Sequence, residues 1–138
     1  GRTYRFMSDP LYPFGFGLSY TDFKYSNLNL SSENLKGNQT LTVNVNVANT
    51  GKFDGEEVVQ LYIRDLFGKV VRPIKELKGF QKIFLKKGES RNVTFKLTPD
   101  DLKFYDDALN YDWEAGEFEI MVGTNSSDVM VKKIVWEK

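Results

Sequence analysis

Neither cysteine nor histidine occurs in the sequence. The lack of cysteine excludes disulfides, thiol nucleophiles and thiolate metal sites, but it leaves the cellular compartment open because many exported bacterial proteins also lack cysteine. The lack of histidine removes the commonest general base near neutral pH and the commonest zinc ligand. Serine triads, Cys–His dyads and histidine-based metal sites are therefore excluded, and we predict no cofactor and no bound metal.

The sequence also has no excess of positive or negative charge. Lysine and arginine together number 19, as do aspartate and glutamate, so the formal net charge is zero. A neutral chain lacks the long-range field that draws a protein to nucleic acid or to an anionic membrane. No run of about 20 apolar residues is present, and no charged-then-apolar leader opens the chain. We therefore expect neither nucleic acid nor a membrane as a partner, and an export signal would lie outside these residues.

What the sequence does contain is the composition of one globular domain. It has 138 residues, of which 41% are hydrophobic and 28% are charged. A chain of this length can bury roughly two-thirds of its unfolded surface in a single core. We expect one autonomously folding domain rather than two.

Aromatic residues are concentrated near the beginning of the chain, around the stretch YPFGFGLSYT at residues 12–21. Two prolines fix φ and remove ladder donors there, which favours an extended or irregular segment over a helix. Phe14 and Phe16 alternate with glycines, so rings can project on one side while another backbone approaches on the other. We interpret residues 1–21 as a strap that leads into a folded domain at residues 22–138. The rings of the strap are Tyr4, Phe6, Tyr12, Phe14, Phe16 and Tyr20.

The rest of the chain shows the period-two alternation of half-buried strands. Apolar and polar residues alternate from Leu41 to Ala48, and the pattern continues in EVVQLYIRD, with Val59, Leu61 and Ile63 on one side. Near the end of the chain, Val129 and Val131 fall out of phase with Ile134 and Trp136, which predicts a bulge near Lys132. The predicted strands cover residues 41–48, 57–65, 75–85, 92–97, 117–123 and 129–136.

These short strands, without a long amphipathic segment between them, predict an all-β fold. We expect an antiparallel β-sandwich of the immunoglobulin or fibronectin III type, with about seven strands and an extended N-terminal strap; an open barrel is the alternative. The segment TPDDLKF gives the one helical signal, because Thr98 is a good N-cap and Pro99 suits the first helical position. It predicts a single turn between two strands.

Three acidic pairs raise the question of carboxylate chemistry, since glycosidases work with two carboxylates. The pairs flank turns or the helical segment, where acids serve solubility and capping, so a structural role is favoured. A calcium site in the Asp106–Asp107 loop is the alternative. The pairs are Glu56–Glu57, Asp100–Asp101 and Asp106–Asp107.

Exposed rings can stack on sugars, and the ring-rich strap, Tyr111 and Trp113 are the candidates. The alternative is that these rings fill the core or a contact between domains. That alternative is favoured for the strap and for Trp113, because proline and glycine interrupt the rings of the strap instead of leaving a flat strand face.

Five ordered blocks of the sequence resemble the C-terminal fibronectin type III-like domain of family 3 glycoside hydrolases. The likeness covers nearly the whole chain. The blocks are GRTYRF, PLYPFGFGLSYTDFKYS, NTGKFDGEEVVQLYIRD, VRPIKELKGFQKIFLKKGES and WEAGEFEIMVGTNSSD.

The resemblance implies a multidomain retaining enzyme, a β-glucosidase or β-xylosidase in type, that is periplasmic or secreted. In that family the Asp nucleophile and the Glu acid/base lie on preceding domains, and none of the motifs around them is present here, so no catalytic residue can be carried over. GRTYRF resembles the segment that leaves the α/β domain of such enzymes. We therefore expect this chain to begin inside a larger protein.

Three hypotheses for function follow. The first is a non-catalytic accessory domain whose strap, with the Arg72–Pro73 loop, docks on the catalytic domains of the same parent chain and braces them. The second is a module that binds polysaccharide through rings such as Tyr111 and Trp113. The third, an independently active hydrolase, is disfavoured because the acidic pairs lack a cleft and there is no histidine to assist them.

Overall fold

A computed structural model of the chain describes residues 21–66, 75–105 and 108–138. Over these ranges the structure is built from β-strands, with one turn of 3-10 helix at Pro99–Leu102 and no helix long and apolar enough to cross a membrane. The strands are β1 (Phe23–Leu30), β2 (Asn34–Lys36), β3 (Leu41–Asn49), β4 (Gly55–Asp65), β5 (Glu76–Leu85), β6 (Ser90–Leu97), β7 (Phe104–Tyr105), β8 (Tyr111–Asp112), β9 (Gly116–Asn125) and β10 (Asp128–Glu137).

Two sheets pack face to face, as the sequence predicts. One sheet has the order β1-β3-β6 and the other has the order β2-β10-β9-β4-β5, while β7 and β8 form a separate small hairpin. Seven of the described strands have eight or more residues. The predicted β-sandwich is therefore confirmed, with one difference. The short β2 pairs parallel to β10.

The core lies between the sheets and follows the predicted alternation. Every second residue from Leu41 to Val47 is fully buried, as are Val59 and Leu61 on β4. Val93 on β6 and Ile120 on β9 meet them from the neighbouring strands. Burial of each such side chain stabilises the fold by roughly 1.5–3 kcal/mol, so the alternation sets which face of each strand points inward.

The bulge predicted near Lys132 is wrong. The pairing of β10 with β9 continues without a break from Val129 to Trp136, and the irregularity lies between Asp128 and Val129. Because the register is continuous, Lys132 shares the inner side of β10 with Trp136, and Val131 lies on the outer side. The outer side of this strand is itself partly apolar, so the hydrophobic pattern changes phase although the backbone does not.

The two ends of the sandwich are the reference points for locating the candidate sites. The first, here called the Thr21 end, contains Thr21, the last residue of β3 and the pairing of Gly55 with Leu85. At the other end, here called the Trp136 end, Leu41 pairs with Leu97 and Trp136 pairs with Gly116. The indole nitrogen of Trp136 donates a hydrogen bond to the carbonyl oxygen of Gly37 over 2.9 Å.

Candidate functional site

The residues that the sequence assigns to a domain interface lie outside the described residues. They are Tyr4, Phe6, Tyr12, Phe14, Phe16, Tyr20 and Arg72. Thr21, the last residue of the predicted strap, is described and is buried. The predicted division into a strap at 1–21 and a domain at 22–138 therefore stays a prediction, but the point where the two would join has a defined structure.

A buried asparagine holds Thr21 on the sandwich. The hydroxyl of Thr21 donates to Asn49 Oδ1 over 2.7 Å, and the backbone N–H of Gly51 donates to the same oxygen over 3.0 Å. Asn49 Nδ2 in turn donates to the carbonyl oxygens of Phe53 at 2.8 Å and Leu85 at 3.1 Å. One side chain thus ties the start of the described chain to the β3–β4 turn and to the end of β5.

The NTG sequence at residues 49–51 owes its glycine to this junction. A Cβ atom on Gly51 would overlap the Thr21 hydroxyl and lie only 2.5 Å from the backbone nitrogen of Asp22. The β3–β4 turn therefore passes directly against the chain as it enters the domain. A side chain at position 51 would push residues 21 and 22 away from the sandwich.

Arg72 falls between β4 and β5, and the strand ends that flank it lie away from the Thr21 end. Glu76 at the start of β5 pairs with Ile63, whereas Leu85 at its end pairs with Gly55. The two parts of the predicted interface thus join the described structure at opposite ends of the same strand pair. β5 runs between them.

The outward side of β5 carries three exposed apolar side chains, which were not predicted from the sequence. Leu77, Phe80 and Phe84 are 50%, 65% and 48% exposed. Their partners on β4 are Tyr62, Gln60 and Glu56, which alternate with buried residues and so lie on the outer face. A pairing irregularity beside Tyr62 changes the phase of β5, so a simple alternation in the sequence could not reveal that all three face outward.

Of the two rings assigned to sugar contact, Tyr111 is exposed as expected. It is 54% exposed, lies opposite Tyr105 in the β7–β8 hairpin, and their ring centroids are 4.8 Å apart. The Nζ atom of Lys103 lies 5.8 Å from the centre of the Tyr111 ring. This pair of tyrosines is the exposed aromatic surface of the hairpin.

Trp113 is only 8% exposed, so the favoured interpretation that it fills the core holds and the alternative of an exposed sugar-contact ring is wrong. It packs edge-on against Trp136 with 6.3 Å between ring centroids, and Lys138 lies over its ring. A hydrogen bond from Lys138, at 3.0 Å, lowers the pKa of the neighbouring Asp112. Trp113 therefore belongs to the core at the Trp136 end, and Tyr105 takes its place in the exposed pair.

The environment of Glu57 was also not predicted. Glu57 begins a predicted strand beside a turn, where acids serve solubility, yet it is 1% exposed between the sheets, in phase with Val59. The Tyr25 hydroxyl on the opposite sheet donates to Glu57 Oε2 over 2.8 Å. Burial raises the pKa of this carboxyl group from 4.5 to about 7, and hydrogen bonds, first among them that from Tyr25, oppose the rise. The signal available in the sequence was the shared parity of Glu57 with Val59.

Thr124 lies beside the same carboxyl group. Its hydroxyl is buried and meets no partner with hydrogen-bond geometry among the described residues, but its proximity also lowers the pKa of Glu57. The backbone N–H of Val58 donates to Glu57 Oε1 over 3.1 Å, so both oxygens of the carboxyl group accept hydrogen bonds from within the protein. A carboxyl group enclosed in this way has a structural role and no open face toward a substrate.

Of the two remaining acidic pairs, the structure describes Asp100–Asp101, and its contacts are those of a structural role. The backbone N–H of Thr98 donates to Asp101 Oδ2 over 2.8 Å, and Asp100 forms an ion pair with Lys103 at 2.9 Å. This confirms the predicted helical turn, which is of the 3-10 type. Asp106 and Asp107 lie outside the described residues, and within those residues no group of three acidic side chains is close enough to hold a metal.

Comparison with known proteins identifies the family to which this domain belongs. The sequence profile of the fibronectin type III-like domain matches residues 57–126. A β-xylosidase of Formosa agariphila is 50% identical over 124 residues, and a periplasmic β-glucosidase of Salmonella typhimurium is 45% identical over 120 residues. The crystal structure of a β-glucosidase from Listeria innocua in complex with glucose superposes with a TM-score of 0.81 at 36% identity.

Each alignment covers most of this chain but only a small part of the relative. The alignments cover 89%, 87% and 90% of this chain but only 17%, 16% and 17% of the three relatives, in the same order. The predicted resemblance to a domain of family 3 glycoside hydrolases is thereby confirmed. With the profile covering half of its residues and the sandwich observed, the chain belongs to the fibronectin type III-like domain family.

Proposed function

We propose that this chain is a non-catalytic accessory domain of a larger retaining β-glycosidase and that it braces the catalytic domains of the same parent chain. The observation that carries the proposal is the fixed junction at Thr21. A domain joined by a flexible linker needs no buried hydrogen bonds at the point where the linker ends. Here the Thr21 hydroxyl donates a buried hydrogen bond to Asn49. The chain is therefore held against the sandwich at Thr21, the point where the proposed strap ends.

Two further observations support the proposal. The relatives are about five times as long as this chain, since alignments that cover 87–89% of this chain cover only 16–17% of them. Glu57 is enclosed in the core and Asp101 is engaged in the helical cap, so neither offers the paired carboxylates that glycoside hydrolysis requires. One relative is named a periplasmic β-glucosidase, in accord with the proposed periplasmic or secreted location.

Truncation of the full-length parent tests this function. Removal of residues 22–138 should lower both the melting temperature and the activity on a nitrophenyl glycoside, because the catalytic domains lose a packed neighbour. Thermal unfolding and initial rates at matched concentrations are the measurements. A truncated parent that keeps full activity and the original melting temperature would contradict the bracing role.

The exposed pair of Tyr105 and Tyr111 favours a second candidate function, contact with polysaccharide. Aromatic rings present apolar faces that can stack on sugars, and this pair lies at the Trp136 end, away from Thr21. If the chain binds xylo- or gluco-oligosaccharides, Tyr111→Ala should abolish the heat of binding in calorimetry. Phe53→Ala, which removes an exposed ring at the other end, is the matched control. An absence of binding at millimolar ligand would rule against this candidate.

A further inference from the structure

The outward side of β5, here called the β5 face, consists of Leu77, Phe80, Lys82 and Phe84. The pairing with β4 places all four side chains on the outer side of the five-stranded sheet. The three apolar ones are about half exposed or more. Contiguous exposed apolar side chains on a soluble domain commonly mark a surface that another protein surface covers. β5 is also the last strand in its sheet order, so the face lies at an accessible edge.

The charge around this face is strongly biased. Residues 75–87 contain five lysines and one glutamate, although the chain as a whole has no net charge. Two acidic side chains lie near these lysines, with 3.7 Å separating Lys82 from Glu56 and the same distance separating Lys78 from Glu76. A complementary surface would therefore be apolar in its centre and acidic at its rim.

The lysines also indicate how the face is used. Lysine on an edge strand is a common protection against pairing with a further strand, and Lys82 lies between the two exposed phenylalanines. Addition of a strand to the β5 backbone is therefore disfavoured. Docking through side chains, with the rings of Phe80 and Phe84 as the buried contacts, fits the arrangement better.

We propose that the β5 face is the surface on which another domain of the same parent chain docks. The inference rests on the proposed accessory function and gives that function a location. β5 begins beside the segment that contains Arg72 and ends at Leu85, whose carbonyl oxygen accepts the hydrogen bond from Asn49 at the Thr21 end. The face thus joins the two places where the predicted interface residues meet the described structure, and the much longer relatives supply a domain to cover it.

Lysine acylation provides the test, without any substitution. The full-length parent and the 138-residue chain are treated with N-hydroxysuccinimidyl acetate, and the rate at each lysine is followed by mass spectrometry. Lys82 should react at least fivefold more slowly in the parent. Lys96, which is exposed on β6 of the other sheet, should react at the same rate in both proteins and is the internal control.

Equal rates at Lys82 in the two proteins would overturn the inference. Protection that also appears in the 138-residue chain and grows with protein concentration would indicate a second copy as the occupant, and would overturn it equally. If truncation of the parent lowers its stability while Lys82 stays reactive, the accessory function holds and the β5 face is the wrong surface. A stability unchanged by truncation would instead count against the accessory function itself.

Substitution gives a second measurement in the parent. Phe84→Ser should return the acylation rate of Lys82 toward that of the 138-residue chain, because one of the two central contacts is lost. Val131→Ser is the matched control, since Val131 is similarly exposed on β10 of the same sheet. An unchanged Lys82 rate in a folded Phe84→Ser parent, or an equal increase in both variants, would contradict docking centred on β5.

Discussion

Between pH 4.5 and pH 7.5, the free energy of unfolding of this domain is expected to fall by about 3 kcal/mol because of Glu57 alone. Its pKa is raised from 4.5 to about 7 in the folded state by burial between the two sheets. A carboxyl group with a raised folded pKa binds its proton more tightly in the folded protein than in the unfolded chain. Its contribution is therefore fully present below about pH 4.5 and is lost as the pH rises to about 7.

Replacement of the carboxyl group by an amide should remove this pH dependence. Glu57→Gln keeps an oxygen that can accept the hydrogen bond from Tyr25 but carries no charge at any pH. The variant should match the parent domain near pH 4.5 and exceed its free energy of unfolding at pH 7.5 by up to about 3 kcal/mol. Urea unfolding at a series of pH values measures both proteins.

Glu56→Gln is the matched control for the Glu57 experiment. Glu56 is the preceding residue, but its side chain lies on the outer face beside Lys82 and is partly exposed. This control should leave the Glu57-dependent fall in stability in place. If Glu57→Gln instead showed the same fall as the unchanged domain, a different group would have to be responsible for it.

Tyr25→Phe distinguishes the effect of the Tyr25 hydrogen bond on the pKa of Glu57 from the effect of burial on it. The hydroxyl of Tyr25 is the first of the contacts that lower the pKa of Glu57, so its removal should raise that pKa further above 7. The range of pH over which stability is lost would then extend upward. The variant should also be less stable at pH 7.5, by about 1–3 kcal/mol, because a buried carboxylate loses its donor.

The architecture was predictable because the core is formed by apolar residues that alternate with polar ones along each strand. Val59 and Ile63 are buried because a strand turns every second side chain to the same face, and this period is visible in the sequence. The NTG turn and the helical turn after Thr98 were predictable for a similar reason. Both depend on the conformational preferences of residues within a few positions of one another.

The sites were less predictable because they depend on contacts between distant residues. Trp113 packs against Trp136, which lies 23 positions further along the chain, so its neighbours in the sequence do not show which residue covers it. The outward direction of Leu77 depends on a pairing irregularity between β4 and β5, which only the register shows. Glu57 was the exception. Its parity with Val59 indicated burial, but an acid beside a turn is usually exposed.

Asn49→Ala is expected to have the largest effect of any single substitution considered, a loss of about 3–5 kcal/mol in the free energy of unfolding. The side chain of Asn49 is buried, accepts hydrogen bonds from Thr21 and Gly51, and donates to the carbonyl oxygens of Phe53 and Leu85. Alanine would leave all four partners without these contacts. Each buried polar group left unsatisfied costs about 1–3 kcal/mol, and partial access of water reduces the sum.

The same experiment bears on the junction between strap and sandwich. Asn49→Asp keeps the oxygen that accepts from Thr21 and Gly51, but it replaces the donor by a second oxygen directed at two carbonyl groups. It should therefore be about as destabilising at pH 7 as Asn49→Ala and less so at low pH, where the carboxyl group can donate. Asn46→Ala, on the outward side of β3 with one 3.3 Å hydrogen bond, should change stability by no more than about 0.5 kcal/mol. If the Asn49 and Asn46 variants unfolded at the same urea concentration, the buried network would not hold Thr21 in place, and the fixed junction at Thr21 would no longer support the bracing role.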